Sequence, residues 1–227
     1  MSIVTRQQWG ARPPTFTTPS TSFRGVAAHW EGPHLGWPWA HSVCFEKVRG
    51  IQNFHMNSRG WADIAYNLMV CGHGDIFVGR GPGIRNAANG GERNDNGDFY
   101  AICYLGGIDD EFTLDARDGF NDGAEFLGMS RGLWRVHRDF VPTTCPGPVI
   151  TAWVAQGHPR GHQPEPEEEF LMALTQDEQD ELLAMTRATN EEVGKLAIVI
   201  RDEDTGLATQ VAILRDQIAL IRAKIGA

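Results

Sequence analysis

Three short runs, Arg24 to Trp30 (RGVAAHW), Asp63 to Val70 (DIAYNLMV) and Tyr100 to Leu105 (YAICYL), are apolar at consecutive rather than alternate positions. Segments this short with little polar face fit strands covered on both sides, and this constrains the fold more than any other feature. Ile76 to Gly79 adds a fourth strand, and Cys71-Gly72-His73-Gly74-Asp75 is the turn that joins it to the second run as a hairpin. Between the first two strands, Val43, Val48, Ile51 and Phe54 form an apolar stripe for a helix over about 41–57. Further helices are expected over about 122–135 and 148–156. Together these predict an α/β fold, a mixed central β-sheet flanked by helices.

Core-forming residues are confined to the first part of the chain. All 7 Trp and all 3 Tyr lie at or before Trp153, and beyond it the only aromatic is Phe170. The sequence therefore divides into a folded domain over 1–156, a Pro- and Glu-rich linker over 157–174 and a tail over 175–227. The tail opens on a capping box, Thr175-Gln176-Asp177-Glu178, and its apolar positions alternate three and four apart through Leu207, Val211, Leu214, Ile218, Ile221 and Ile225. A helical, coiled-coil-like tail able to bring copies of the chain together follows from that pattern, with a single amphipathic helix folded on the domain as the alternative.

Charge follows the same division. Of the formal net charge of −9, residues 1–160 contribute −1 and residues 161–227 contribute −8. Neither part carries a basic stripe, so nucleic acid is excluded as a partner. No run reaches the roughly 18 apolar residues that a membrane span needs, so no membrane insertion is expected. Met1 to Arg6 lacks the charged and apolar regions of a secretory signal, which predicts a chain made and kept in a cytoplasm.

The chain has four cysteines, Cys44, Cys71, Cys103 and Cys145, without CxxC pairing. The first three read as small buried hydrophobes; Cys145 differs in sitting in a turn, Pro142-Thr143-Thr144-Cys145-Pro146-Gly147. Catalytic zinc is commonly held by three protein ligands with one position open. Of the eight histidines, two stand out by setting. His29 ends an apolar strand, where side chains reach a sheet's edge. His137 lies eight residues before Cys145, a spacing that permits a chain reversal presenting an imidazole and a thiolate to one ion.

The motifs Val4-Thr5-Arg6-Gln7-Gln8-Trp9-Gly10-Ala11-Arg12, Val26-Ala27-Ala28-His29-Trp30, Trp61 to Leu68, Ile76 to Gly81, and His137-Arg138-Asp139 leading to Thr143-Thr144-Cys145-Pro146-Gly147 stand in this order over residues 4–147. In that order they resemble the peptidoglycan-recognition-protein and type-2 N-acetylmuramoyl-L-alanine amidase family, phage amidases among them. The resemblance implies that His29, His137 and Cys145 bind Zn2+ and that Tyr66 and Thr143 line the catalytic cleft. It implies hydrolysis of the amide between N-acetylmuramic acid and L-alanine in bacterial peptidoglycan, with zinc activating water and both hydroxyls supporting the oxyanion. Some members carry lysine in place of Thr143, and histidine is frequent where Asn67 stands.

Asp139 is a candidate to orient a ligand imidazole, with an ion pair to Arg138 or Arg135 as the alternative. Trp30, Trp37 and Trp39 are candidates for a wall contacting sugar or peptide, or for core packing. Two rival functions remain. One is a non-catalytic peptidoglycan-binding module on the same fold. The other is a cysteine peptidase with Cys145 as nucleophile and His137 as base, which leaves His29 without a task. The wall-cutting reading, joined to the missing signal, predicts a phage endolysin held in the host cytoplasm until lysis and acting then on the cell wall.

Overall fold

A computed structural model of the chain describes residues 2–91 and 93–162, together with Thr175 and Ala184. The helical, coiled-coil-like tail expected over 175–227 and most of the linker lie, apart from those two residues, outside the described residues. Elements follow in the order β1 (Ile3–Val4), α1 (Arg6–Trp9), β2 (Gly25–Gly32), α2 (His41–Asn53), β3 (Leu68–Val70), β4 (Ile76–Val78), α3 (Asp95–Asp98), β5 (Phe99–Gly107), α4 (Leu114–Phe126), β6 (Leu133–Val136) and α5 (Gly147–Ala155). The strands form one six-stranded sheet in the order β1-β4-β3-β5-β2-β6. Only β3 and β4 run antiparallel, joined by the turn at Cys71–Asp75; every other pair is parallel, so the sheet is mixed as the sequence predicts.

Both faces of the sheet are covered, and the alternation along each strand distributes its side chains between two cores. Leu68, Val70, Ile102 and Tyr104 pack with Phe112, Phe120 and Trp153 under α4 and α5. Met69, Cys71, Cys103 and Leu105 pack with Trp9, Val48 and Ile51 under α1 and α2. The residues of β5 are buried throughout, which accounts for its uninterrupted apolar run.

Two expectations need correction. The run 63–70 is a strand only over Leu68–Val70; Asp63 turns back to receive the Gln52 amide and the backbone N–H of Ile64, which holds residues 63–67 as an irregular segment. The helix expected over 122–135 ends at Phe126, having begun at Leu114 behind the cap that Thr113 offers to the Ala116 N–H. Its glycines lower helix propensity, yet they are where the helix lies against the sheet: a Cβ on Gly119 would come within 2.6 Å of Val70. Residues 127–132 of that span form a turn, and its end enters the edge strand β6, Leu133–Val136. After β6 and α5 the chain returns to α4, where His158 stacks on Trp134 and the Gly161 and His162 N–H groups donate to Asp118.

Candidate metal centre

Parallel pairing brings the first two candidate residues together. β2 lies between β5 and β6, and Ala28 is in register with Val136, so His29 and His137 leave adjacent strands side by side. Their rings stand 4.5 Å apart between centroids. His137 opens a short 3-10 turn, His137–Asp139, and the chain then reverses so that Cys145 returns to the same place. The Cys145 sulfur is 3.7 Å from Nδ1 of His29. One ligand atom from each of His29, His137 and Cys145 falls within 4.8 Å of the other two. Zinc bonds of about 2.3 Å to sulfur and 2.0–2.1 Å to nitrogen, at tetrahedral angles, separate S and N by about 3.6 Å. The observed separation is of that size.

The surroundings bias each donor. Nε2 of His29 is hydrogen-bonded at 2.8 Å to the side-chain oxygen of Asn89, so that its proton belongs on Nε2 and its lone pair on Nδ1, toward the sulfur. Nδ1 of His137 is buried with no hydrogen-bond partner among the described residues. A buried, unpartnered nitrogen is costly unless something fills the gap, and an ion does so. Burial, and then the neighbouring His137, lower the pKa of His29 to about 3, and burial lowers that of His137, so both imidazoles stay neutral. Burial raises Cys145 to about 11 against the pull of the Trp30 N–H, which donates to its sulfur at 3.4 Å, and of Arg138. Without an ion the site holds a neutral thiol and two neutral imidazoles. A nucleophilic cysteine requires the opposite, a lowered pKa beside a protonated base, so this environment opposes the cysteine-peptidase reading.

Tyr66 is half-buried, with its ring 5.5 Å from that of His29. Burial, above all, holds its hydroxyl well above the usual tyrosine range. Thr143 accepts the Cys145 N–H at 3.2 Å, which leaves its own O–H to donate. Asp139 does not orient an imidazole: its carboxylate accepts the Val136 N–H, while Arg138 donates to the Thr144 carbonyl. The orienting part falls to Asn89, in a loop of polar residues that the sequence reading passed over. Asn89 is fully buried, its amide donating to the carbonyls of Asp95 and Phe99 and its N–H bonded to Asn86 and Asn96. Repeated Asn between two apolar strands, Asn86, Asn89, Asn94 and Asn96, was the available signal. Trp30 packs over Gly147 beside Cys145, whereas Trp37 and Trp39 lie against each other near His73 and Cys44.

Peptidoglycan-recognition protein SC2 of Drosophila simulans is 30% identical over 158 residues, 66% of this chain and 83% of the relative. The chain belongs to the peptidoglycan-recognition protein family. Mouse peptidoglycan recognition protein 1 is 29% identical over 169 residues, covering 66% of this chain and 87% of that protein. Among solved family structures, a mutant of Drosophila PGRP-LB in complex with tracheal cytotoxin matches with a TM-score of 0.58 at 25% identity, over 66% of this chain and 94% of that one. Drosophila PGRP-SD matches in fold with a TM-score of 0.61, over 68% and 93%. No family model matches. These comparisons reach about two-thirds of the chain and support the amidase-type fold, and the His29, His137 and Cys145 cluster is compatible with zinc of the amidase type.

Proposed function

We propose that the chain is a zinc-dependent N-acetylmuramoyl-L-alanine amidase acting on bacterial peptidoglycan. The observation that carries this reading is the buried Nδ1 of His137, unpartnered among the described residues, beside a thiol and a second imidazole held in one tautomer. A module that only recognises wall fragments has no use for that combination, although the relatives are named for recognition and one neighbour was solved with tracheal cytotoxin. Those names support peptidoglycan fragments as the ligand class.

When bound, zinc supplies a Lewis acid and brings the pKa of water to about 7. The remaining work belongs to side chains. His29, His137 and Cys145 would hold the ion, Cys145 as its thiolate, with the Trp30 N–H already placed to donate to that sulfur. Tyr66, held protonated by burial, and Thr143, with its O–H free to donate, supply hydrogen bonds to the lactyl carbonyl oxygen as negative charge develops there.

The test is digestion of purified cell walls by the full chain. Mass spectrometry should find new L-alanine amino termini with glycan strands intact, abolished by a strong chelator and restored by zinc. Binding of wall fragments by the zinc-loaded chain with no new amino termini would make it a recognition module. Cleavage indifferent to chelators but abolished by thiol alkylation would make it a cysteine hydrolase.

A further inference from the structure

A second convergence of metal-binding side chains lies on the α2 side of the sheet, built from residues that the function proposed above does not use. His41 and Cys44 stand three apart in the first turns of α2 and so share a face. Cys71 and His73 flank Gly72 in the turn between β3 and β4. One ligand atom from each of the four lies within 4.8 Å of all the others. Nδ1 of His73 is 3.5 Å from the Cys44 sulfur and 3.9 Å from the Cys71 sulfur. Sulfur and nitrogen sharing a tetrahedral zinc ion stand about 3.6 Å apart.

The groups outside the four support the same occupant. Asp75 holds Nε2 of His41 at 2.9 Å and also accepts the Ser2 N–H, which leaves Nδ1 of His41 as the nitrogen available to an ion. Carboxylates bonded to the far nitrogen of a ligand histidine are the usual means of fixing its ring and raising its basicity. The Trp39 indole N–H donates to the Cys44 sulfur at 3.4 Å. Trp37 covers the turn, its ring edge-on to His73 at 4.8 Å and pressed so close to Gly72 that a Cβ there would come within 2.5 Å of it.

We propose that His41, Cys44, Cys71 and His73 form a second metal site, a closed, tetrahedral, structural zinc site that ties the start of α2 to the β3–β4 hairpin. Four protein donors leave no position for substrate, in contrast to the three-donor centre at His29, His137 and Cys145. Binding replaces two S–H bonds by two S–Zn bonds and releases two protons to solvent.

The experiment is zinc stoichiometry of the full chain, purified without chelator, by elemental mass spectrometry. The wild type should carry two zinc ions, Cys44→Ser and His73→Asn one each, and Cys145→Ser one. If the catalytic reading alone fails, the wild type carries one ion, which Cys145→Ser keeps and Cys44→Ser loses. Should the Cys44 and His73 variants fail to fold, zinc-edge X-ray absorption of the wild type decides: two sites average more than one sulfur per ion, a lone His29, His137 and Cys145 centre only one. The proposal is overturned if Cys44→Ser and His73→Asn retain the wild-type zinc content. It is equally overturned if peptide mapping of the native chain finds Cys44 and Cys71 joined as a disulfide.

Discussion

Replacing Asn89 by alanine removes the side chain that fixes the His29 tautomer, and the structure gives the size of the effect. The amide makes three buried hydrogen bonds, to Nε2 of His29 and to the carbonyls of Asp95 and Phe99. Phe99 keeps the Asn86 amide as a partner, and the Asp95 carbonyl keeps the Phe99 N–H. The imidazole N–H keeps nothing. Orphaning it costs about 1–3 kcal/mol, and weakening the other two bonds about 1 kcal/mol more, so the metal-free chain should lose about 2–4 kcal/mol in urea denaturation. Without an acceptor at Nε2 the proton can move to Nδ1, the position that must be bare for an ion. Loss of such an orienting partner costs about 10- to 100-fold in metal affinity. Competition with a chromophoric chelator would read that loss directly. Asn89→Asp retains an acceptor for His29 while turning a carboxylate oxygen toward two carbonyls, so it should recover affinity but not stability. Wild-type zinc affinity in Asn89→Ala, or Asn89→Asp binding as weakly as the alanine variant, would refute the argument.

Three further outcomes are expected. Tyr66→Phe should lower kcat on wall substrate by about 100-fold or more at unchanged zinc content, since one oxyanion donor is worth that much; unchanged kcat removes Tyr66 from the chemistry. Gly147→Ala should destabilise the chain by at least about 2 kcal/mol, because the residue has φ +81° and a Cβ would meet the Trp30 ring at 2.2 Å; an unaltered urea midpoint would contradict this. His55 is buried, accepts the Ala65 N–H, and has its pKa lowered to about 4 by burial, then by Arg80 and Arg59. The unfolded chain therefore binds the extra proton first, so stability drops as pH falls from about 6.5 to 4. At about 1.4 kcal/mol per pH unit the loss approaches 3 kcal/mol. His55→Asn keeps an acceptor without titrating and should flatten that slope, as urea melts across the range would show.

Much of the fold was legible because burial on both faces writes itself as uninterrupted apolar runs, and β2, β4, β5 and the hairpin turn all lay where such runs predicted. The parts that were not legible share a cause. In α4 the requirement was close approach to Val70, met by glycines that lower helical propensity. Leu133–Val136 is too short for its period to distinguish strand from helix. At the site, the motif order singled out His29, His137 and Cys145, and the structure brings them together. The support they receive was invisible, because Asn89 acts through hydrogen bonds that no spacing encodes. Cys44 and Cys71 were read as buried hydrophobes, and buried they are; their separate partners, His41 three residues before one and His73 two after the other, were the overlooked signal.

β6 is four residues long and pairs on one side only, which leaves its alignment open to slippage. A slip of one residue against β2 would exchange its faces and present Val136 or Arg138 where an imidazole should stand beside His29. Burying Val136 in the core and delivering His137 to Cys145 demand the same alignment. Whatever occupies that triangle of donors therefore also selects how the rim of the sheet is laid down, and a chain mispaired there would be unable to capture it.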